Sequence, residues 1–307
     1  SSKLQNAGNT IFYPVHQHRP VLTGFDLSGQ EQGIIEETYP ISLGEPNGDL
    51  IEQRIDDMRD LRFWERAGTQ AGFQQATQLN SDIANLIADT GSLYYESAAT
   101  SGFDFISEGQ ALINERQVFK SEGCNFILND RANQLFAQDL AGRGTVKGRP
   151  EDTWKTGQIG SGVAEFDLFT GSFLKTQATP GAGASTLTAT VSEAPVGGAV
   201  DPVTKVVTNV DYRTGVLPVV DGTAYTVGDV VSVAGVKSIG LASKDVNVED
   251  MTFKIVGITA NNLTVYPKPI ALDDAGLSTL ELAYANINTQ LATGATVAVV
   301  NTTASKT

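Results

Sequence analysis

The chain has 307 residues, of which 41% are hydrophobic and only 18% are charged, below the roughly 25% that is usual for soluble domains. The formal net charge is −14, from 35 acidic and 21 basic residues. This excess of acid argues against a groove that neutralises many phosphates, because such a groove needs clustered Lys and Arg. A surface this poor in charge is typical of a protein covered by partners.

A two-stranded ribbon is predicted near the start of the chain. Residues 9–15 alternate weakly between apolar and polar side chains, and residues 33–43 supply a second strand after a polar stretch that contains glycine. Two isolated strands are marginally stable in water, and these hold too few apolar residues to bury a core. We therefore expect the ribbon to pack against something outside itself.

A long helix is predicted after the ribbon. Apolar residues at helical spacing and the absence of proline indicate a helix over 56–90. At 1.5 Å per residue this helix is about 50 Å long. Thr90 and Gly91 form a suitable C-terminal stop, whereas Gly68 and Gly72 leave room for a break or a bend.

Mixed helices and strands are predicted next. Residues 107–123 have a helical pattern, 124–129 read as a buried strand, and 130–142 as another helix. Asp130 is a suitable N-cap and Gly142 a suitable C-cap for the last of these. The alternation indicates an α+β or α/β arrangement.

The second part of the chain is rich in valine and threonine, which favours strands. It begins at a Pro/Gly/Ser-rich linker, residues 178–185. We expect one short helix at about 278–290 and a small closed barrel, since closure removes exposed strand edges. Six strands are predicted, at 185–191, 204–210, 229–236, 251–258, 262–267 and 294–300.

Candidate catalytic residues have simpler structural explanations. Asp273 and Asp274 are adjacent, so their side chains point in different directions and do not form the facing pair that acid/base catalysis needs. Acidic residues before a helix favour its dipole, and we expect this role. Ser161 lies between two glycines without the pattern of a nucleophile elbow. We therefore expect no catalytic residue and no enzyme activity.

Candidate ligand-binding residues are few. His16 and His18 share one face of a predicted strand, and Cys124 is the single cysteine. A structural zinc ion needs four ligands, so we expect no metal site, and Cys124 is expected to pack as a small apolar group.

The densest basic patch is formed by Arg143, Lys147 and Arg149. It lacks the Gly-Lys-Ser/Thr of a phosphate-binding loop, so we expect a solvated loop and no cofactor. No apolar stretch approaches the ~20 residues of a membrane helix, so no membrane partner is expected.

Several segments of this sequence, taken together and in order, resemble one known family. They are GNTIFYPV, GFDLSG, LGEPNGD and RIDDMRDLR within residues 8–62, SVAGVKSIG (232–240), MTFKIV (251–256), and PKPIALDDAGLS followed by AYANINTQLA within 267–292. These segments are similar to the coat proteins of P-twenty-two-like short-tailed double-stranded-DNA bacteriophages, and the resemblance runs nearly from end to end.

The resemblance implies an α+β chain with the Hong Kong 97 fold of major capsid proteins and an inserted six-stranded antiparallel β-barrel. Family members carry an N-terminal arm and further C-terminal strands, whereas this sequence begins at the ribbon and stops just after the barrel, so we expect the main sheet to lack strands. The implied units are the E-loop ribbon with its flank (1–51), the spine helix of the peripheral domain (52–91), part of the axial domain (92–179), the insertion barrel (180–303) and the start of a return to the axial domain (304–307).

The function implied by the resemblance is self-assembly. Pentamers and hexamers would form an icosahedral head that encloses double-stranded DNA without reading its sequence, with a scaffolding protein and a portal as partners and no cofactor. The protein would be assembled in the cytoplasm of the bacterial host and reside in the virion. Two alternatives stay open: an encapsulating shell of the same fold with protein cargo, and a β-rich phage tail or adhesin module.

The resemblance also implies contacts between subunits. Gly257 stands where the family has an arginine that faces an acidic loop, so apolar contacts through Val200 and Val203 are expected to replace the charge pair. The charged candidates in the loop that links capsomers, about residues 194–213, are Asp201, Lys205, Asp211 and Arg213. The candidates for E-loop contacts are Phe12, Tyr13, His16, His18 and Phe25.

Overall fold

A computed structural model shows a helical part and a β-barrel part, preceded by a ribbon. The residues that it describes are 10–15, 28, 37–42, 48, 62–91, 93–95, 102–118, 124–142, 164–174, 179–195, 199–200, 207–208 and 213–301.

The ribbon consists of two antiparallel strands, β1 (Thr10–Val15) and β2 (Glu37–Ser42). Thr10 lies opposite Ser42, and Tyr13 lies opposite Tyr39. The predicted pair of strands is therefore confirmed. Its interpretation as an E-loop concerns a neighbouring subunit and stays a prediction.

The long helix α1 spans Phe63–Thr90, 28 residues, or about 42 Å at 1.5 Å per residue. It runs without interruption through Gly68 and Gly72, so no break occurs there. It ends where predicted, but Gly91 is extended, with φ −65° and ψ 127°, and does not adopt the left-handed conformation of many C-terminal glycines. The predicted start, residues 52–61, lies outside the described ranges.

Helix α2 spans Phe103–Glu115, so the predicted boundaries 107–123 were wrong at both ends. Gly102 precedes the helix with φ 94°. Gln117 has φ 54°, which leaves the right-handed helical region and stops propagation.

A short parallel pair of strands adjoins this helix. β3 (Cys124–Leu128) confirms the predicted strand, and it pairs with β4 (Phe166–Thr170), which the sequence analysis missed. The apolar core of this part is formed by four buried residues, with Cys124 packed against them as expected: Ile106, Leu128, Phe136 and Phe166.

Helix α3 (Asp130–Gly142) has the predicted bounds. Its N-cap, however, is Asn129, whose Oδ1 accepts a hydrogen bond of 2.7 Å from the Ala132 N–H. The assignment of Asp130 as N-cap was wrong by one residue. Asp130 instead lies in the first turn, where its charge favours the helix dipole.

The barrel part is one curled antiparallel sheet of six strands in the order β5-β12-β9-β10-β11-β8. Its two outer strands meet, because the Thr188 N–H donates to the Pro218 carbonyl (2.9 Å) and the Val220 N–H donates to the Thr186 carbonyl (3.0 Å). The sheet is closed, as predicted. Its strands are β5 (Ala184–Thr186), β8 (Gly215–Pro218), β9 (Val230–Ile239), β10 (Val246–Thr259), β11 (Asn262–Tyr266) and β12 (Thr296–Val299).

Two predicted strands need correction. The one at 204–210 does not join the barrel: β7 (Val207–Thr208) pairs with β6 (Ala199–Val200) in a separate hairpin, and β8 takes the barrel position. The one at 185–191 is regular only to Thr186. Beyond it, isolated bridges join Leu187 to Val219 and Val191 to Leu291.

The Pro/Gly/Ser-rich segment at 178–185 is not a free linker over its described residues. A Cβ added to Gly181 would lie 2.4 Å from the Ala224 carbonyl oxygen, and one added to Gly183 would lie 2.7 Å from the Tyr225 ring. These glycines allow the backbone to pack directly on the barrel.

The helix predicted at 278–290 is absent over residues that the structure describes. In its place is a single 3-10 turn, Glu281–Tyr284. Asn286 explains the difference, because its side chain accepts from the Ile270 N–H (3.0 Å) and donates to the Lys268 carbonyl (2.7 Å). These bonds hold the segment against the barrel in place of helical bonds.

The barrel has its own apolar core. Phe253, Ile255, Leu263 and Ile287 are fully buried within it. No residue of this cluster belongs to α2, α3, β3 or β4, so the two parts of the chain have separate described cores.

Candidate assembly surfaces

Helix α1 exposes most of its apolar residues. Of its 28 residues, all of them described, Ala84 alone is buried. The apolar residues whose spacing predicted this helix are therefore largely uncovered within one chain. Its large exposed apolar side chains are Trp64 (57% exposed), Phe73 (73%), Leu79 (58%), Ile83 (48%), Leu86 (63%) and Ile87 (60%).

The ribbon also presents apolar side chains to solvent. Tyr13 is 51% exposed and Ile41 is 45% exposed. Of the residues predicted for E-loop contacts, Phe12 and Tyr13 lie in β1, where Phe12 is opposite Pro40. The other three, His16, His18 and Phe25, lie outside the described ranges, so their contacts stay predictions.

The hairpin of β6 and β7 lies within the loop predicted to link capsomers. Val200 belongs to β6 and pairs with Val207. Arg213 is half-buried, and its carbonyl accepts a hydrogen bond of 2.9 Å from the Lys268 N–H. The remaining candidates of this loop, Asp201, Val203, Lys205 and Asp211, lie outside the described residues.

Gly257 lies opposite Thr264 at an irregularity between β10 and β11. A Cβ added at Gly257 would be 3.6 Å from the Thr264 Cβ, an ordinary van der Waals distance. A Cβ at position 257 therefore fits without a clash. Crowding around the Cβ is not what requires glycine at this position.

The acidic pair organises the local backbone. Asp273 accepts from the Thr289 hydroxyl (2.6 Å) and from the Gln290 N–H (2.9 Å). Asp274 accepts from the Gly276 N–H (2.9 Å). The pair has a structural role, as expected, but its predicted place at the start of a helix was wrong, because these bonds hold turns together.

A cleft of about 620 Å³ lies between α2 and the barrel. Glu108 and Glu115 line one side, and Lys237 and Asp250 form an ion pair of 2.8 Å on the other. The Tyr95 hydroxyl, which donates to the Phe105 carbonyl (2.9 Å), has its pKa raised to about 12, first by burial and then by the charge of Glu108. The cleft thus carries several acidic side chains beside apolar ones, and it lies between the two parts of the chain.

The remaining candidate residues from the sequence analysis stay predictions. Ser161 and the basic patch of Arg143, Lys147 and Arg149 lie outside the described ranges. Among the residues that the structure describes, no group of three or more His, Cys, Asp or Glu is arranged to hold a metal ion. Within the same part of the chain, no helix is both long and apolar enough to cross a membrane.

Sequence reasoning missed several residues that join the two parts, including Lys254 of the barrel, whose Nζ donates to the Ala88 carbonyl of α1. The Arg116 carbonyl accepts from the Leu241 N–H (3.2 Å), and the Gln117 side chain binds the loop at Ala242 and Ser243. No local pattern marks Arg116 or Gln117, because their partners lie more than 120 residues away in the chain.

An exposed apolar helix, a two-stranded ribbon with exposed apolar side chains and a closed barrel are typical of the class of structural proteins that act through their surfaces. A comparison with family models gives the particular family: the P22 coat protein family, described as gene protein 5, matches residues 1–307. The chain belongs to this family of phage coat proteins. It is therefore a structural protein of the virion capsid, and its family implies self-assembly into that capsid.

A solved structure, the CUS-3 coat protein I-domain, was also found to be similar. It is 20% identical in sequence, and the match covers 39% of this chain and 96% of that chain, with a TM-score of 0.29.

Proposed function

We propose that this coat protein is the major capsid protein of a phage head, assembling through pentamers and hexamers into an icosahedral shell that encloses double-stranded DNA. The observation that supports this most is the exposure of α1, in which one residue of 28 is buried. A helix with this many exposed apolar side chains is typical of a surface that other chains cover.

The driving force of assembly is the burial of apolar area. Covering one large apolar side chain completely stabilises by roughly 1.5–3 kcal/mol. The side chains on α1 are about half to three-quarters exposed within one chain, so covering several of them yields a gross term on the order of several kcal/mol for each subunit. Association entropy offsets much of that term. Modest contacts suffice in a closed shell, because each subunit is held by several neighbours at once.

The ribbon supplies a second contact in this proposal. Its two strands bring Tyr13 and Ile41 to solvent, and a two-stranded ribbon gains stability when it packs on another surface. The ribbon would serve as the E-loop that lies on a neighbouring subunit, with contacts through Phe12, Tyr13, His16, His18 and Phe25.

The hairpin of β6 and β7 supplies contacts between capsomers in this proposal. The loop that it belongs to carries Asp201, Lys205, Asp211 and Arg213, so both signs of charge are available for a neighbour. The barrel that carries this hairpin is closed and has its own core, so it presents the loop from a rigid base.

The net charge of −14 suits a container for DNA. An acidic wall does not bind phosphates strongly, so the polymer slides past it during filling. A scaffolding protein and a portal are the further partners of this proposal, with assembly in the cytoplasm of the bacterial host.

Cryo-electron microscopy of particles from infected cells tests the proposal. We expect closed icosahedral shells with five- and six-coordinated capsomers of this chain and with nuclease-protected double-stranded DNA inside. Shells filled with protein would instead support an encapsulating shell. A chain that stays monomeric or trimeric and forms no shell would support a tail or adhesin module. Either of those results contradicts the proposal.

A further inference from the structure

The junction between α2 and the barrel is built from polar contacts. We call the set formed by Arg116, Gln117 and the loop 240–245 the latch. The buried apolar clusters of the two parts share no residue, and the cleft of about 620 Å³ lies between them. Polar junctions between parts with separate cores are typical of units that move relative to each other.

Gln117 makes the central contacts of the latch. Its Oε1 accepts from the Ser243 N–H (2.8 Å) and the Ala242 N–H (3.2 Å), and its Nε2 donates to the Ser243 hydroxyl (3.0 Å). Gly240 makes room for this amide, since a Cβ there would lie 3.0 Å from the Gln117 Cδ. One side chain thus holds three groups of a loop that belongs to the other part of the chain.

Two residues of the latch carry backbone strain. Gln117 has φ 54° and Lys244 has φ 61°, a left-handed conformation that costs energy for residues other than glycine. Such strain persists only while the surrounding contacts enforce it. Gln117 is held by the end of α2, where the Val118 N–H donates to the Ile113 carbonyl (3.2 Å). Lys244 is held by bonds to Ala283 and Ala285 within the barrel, so each side of the latch keeps its own shape.

Burial of Arg116 makes the closed latch costly. Its side chain is in the barrel junction with the residue only 6% exposed, and its Nη1 donates to the Met251 sulfur at 3.0 Å. Among the residues that the structure describes, none is a hydrogen-bond partner of the Arg116 Nε. A thioether is a weak acceptor, and a buried donor without a partner is costly, so this guanidinium gains hydration if the junction opens.

We propose that the latch is releasable, and that the barrel moves as a rigid unit on α2 when subunits enter the shell. The structure shows the docked arrangement. Opening the latch hydrates Arg116, and contacts with neighbouring subunits offset the hydrogen bonds that are lost, including the bond from the Lys254 Nζ to the Ala88 carbonyl of α1. The inference rests on the proposed function, because it requires that the chain assembles into shells.

A reversible covalent lock tests the inference. The Leu241 N–H donates to the Arg116 carbonyl (3.2 Å), so the backbone at residue 241 runs beside the end of α2. A disulfide needs roughly 4.4–6.8 Å between Cα atoms, and its formation between cysteines at 117 and 241 is checked by mass spectrometry. The double variant Gln117→Cys/Leu241→Cys, in a Cys124→Ser background, is purified as monomer and either oxidised or kept reduced. Shell yield is measured by sedimentation under conditions in which the unchanged protein assembles.

We expect the oxidised monomer to form at least about tenfold fewer shells, because the lock removes the open state, and the reduced monomer to match the Cys124→Ser parent. Equal shell yields from the reduced protein and from monomer whose disulfide has formed would overturn the inference. If the unchanged protein forms no shells at all, it is the proposed function that fails.

A second pair of variants examines the latch without cysteines. Gln117→Ala removes the amide from the α2 side, and Gly240→Ala displaces it from the barrel side. Both are expected to speed hydrogen exchange at the Ala242 and Ser243 amides in the monomer while shells still form. Shell formation lost in both variants, with the monomer still folded, would contradict a latch that must open.

Discussion

The Tyr225 hydroxyl donates a hydrogen bond of 2.7 Å to the Val297 carbonyl. The same oxygen accepts from the Ser185 N–H at 2.8 Å. Tyr225 is 5% exposed, so its hydroxyl is a buried bridge between β12 and β5, the two strands nearest the point where the barrel part begins and ends.

Removal of this hydroxyl is expected to weaken the barrel. Tyr225→Phe leaves buried polar groups without their partner, so the free energy of unfolding of the full chain should fall by about 1–3 kcal/mol. Urea unfolding of the monomer measures it. Thr226→Val, which removes an exposed hydroxyl from the adjacent residue, is the matched control and should change stability by less than about 0.5 kcal/mol. Equal effects of the two substitutions would contradict the bridge.

The burial of Lys244 predicts that the free energy of unfolding rises with pH. Its Nζ donates to the carbonyls of Ala283 (2.7 Å) and Ala285 (3.1 Å), and burial lowers its pKa from 10.5 to about 8. Between these two pH values the unfolded chain binds more protons than the folded chain, so the free energy of unfolding increases with pH. Urea unfolding of the unchanged protein should therefore show a positive slope from about pH 8 to about pH 10.

The variant Lys244→Met isolates that effect. It has no ammonium to bury, so the slope over the same pH range should become smaller. A slope that is the same in the variant and in the unchanged protein would show that burial of Lys244 is not its cause.

Substitutions on the exposed face of α1 are expected to reduce assembly while leaving the stability of the monomer nearly unchanged. Phe73→Ser and Leu86→Ser replace side chains that are 73% and 63% exposed, so the monomer should lose little stability, within about 0.5 kcal/mol beyond the change in helix propensity. Shell yield, measured by sedimentation, should drop because the contact with a neighbour is lost. Gln74→Ser, an exposed polar position on the same helix, is the control and should assemble normally. If all three variants assemble equally well, α1 is not an assembly surface.

The barrel is expected to fold as an isolated fragment. Its buried cluster runs from Leu187 to Val297 without a contribution from the helical part, and the closed sheet leaves no unpaired edge strand. A fragment of residues 180–301 should therefore unfold cooperatively in urea and give dispersed amide resonances.

The remainder, without residues 181–303, should aggregate because the junction surface around Arg116 is uncovered. A disordered fragment or a soluble, well-folded remainder would each contradict this division.

Patterns of neighbouring residues predicted the helices and strands whose bounds depend on residues close by in the chain. Helix α3 was predicted over its observed bounds because a polar start, an apolar stripe and a terminal glycine all lie within 130–142. The end of α1 at Thr90 and the strands β9, β10 and β11 were predicted from the same kind of signal, since the alternation and the turn residues are adjacent in the chain.

Long-range partners explain the failures. The segment 278–290 has a helical pattern, but Asn286 and Asn288 use their side chains to bind the backbone at Ile270 and Lys237. β4 pairs in parallel with β3 across about 40 residues, and a parallel pair has no hairpin signal. The latch residues Arg116 and Gln117 were missed for the same reason, because their roles depend on a loop far away in the sequence.

Self-association is the central claim, and sedimentation velocity of the purified full-length protein tests it most directly. The account predicts two boundaries, one of single chains and one of large shells of uniform size, with the shell fraction rising as the protein concentration rises. Single chains alone, at every concentration and under every assembly condition, would contradict it.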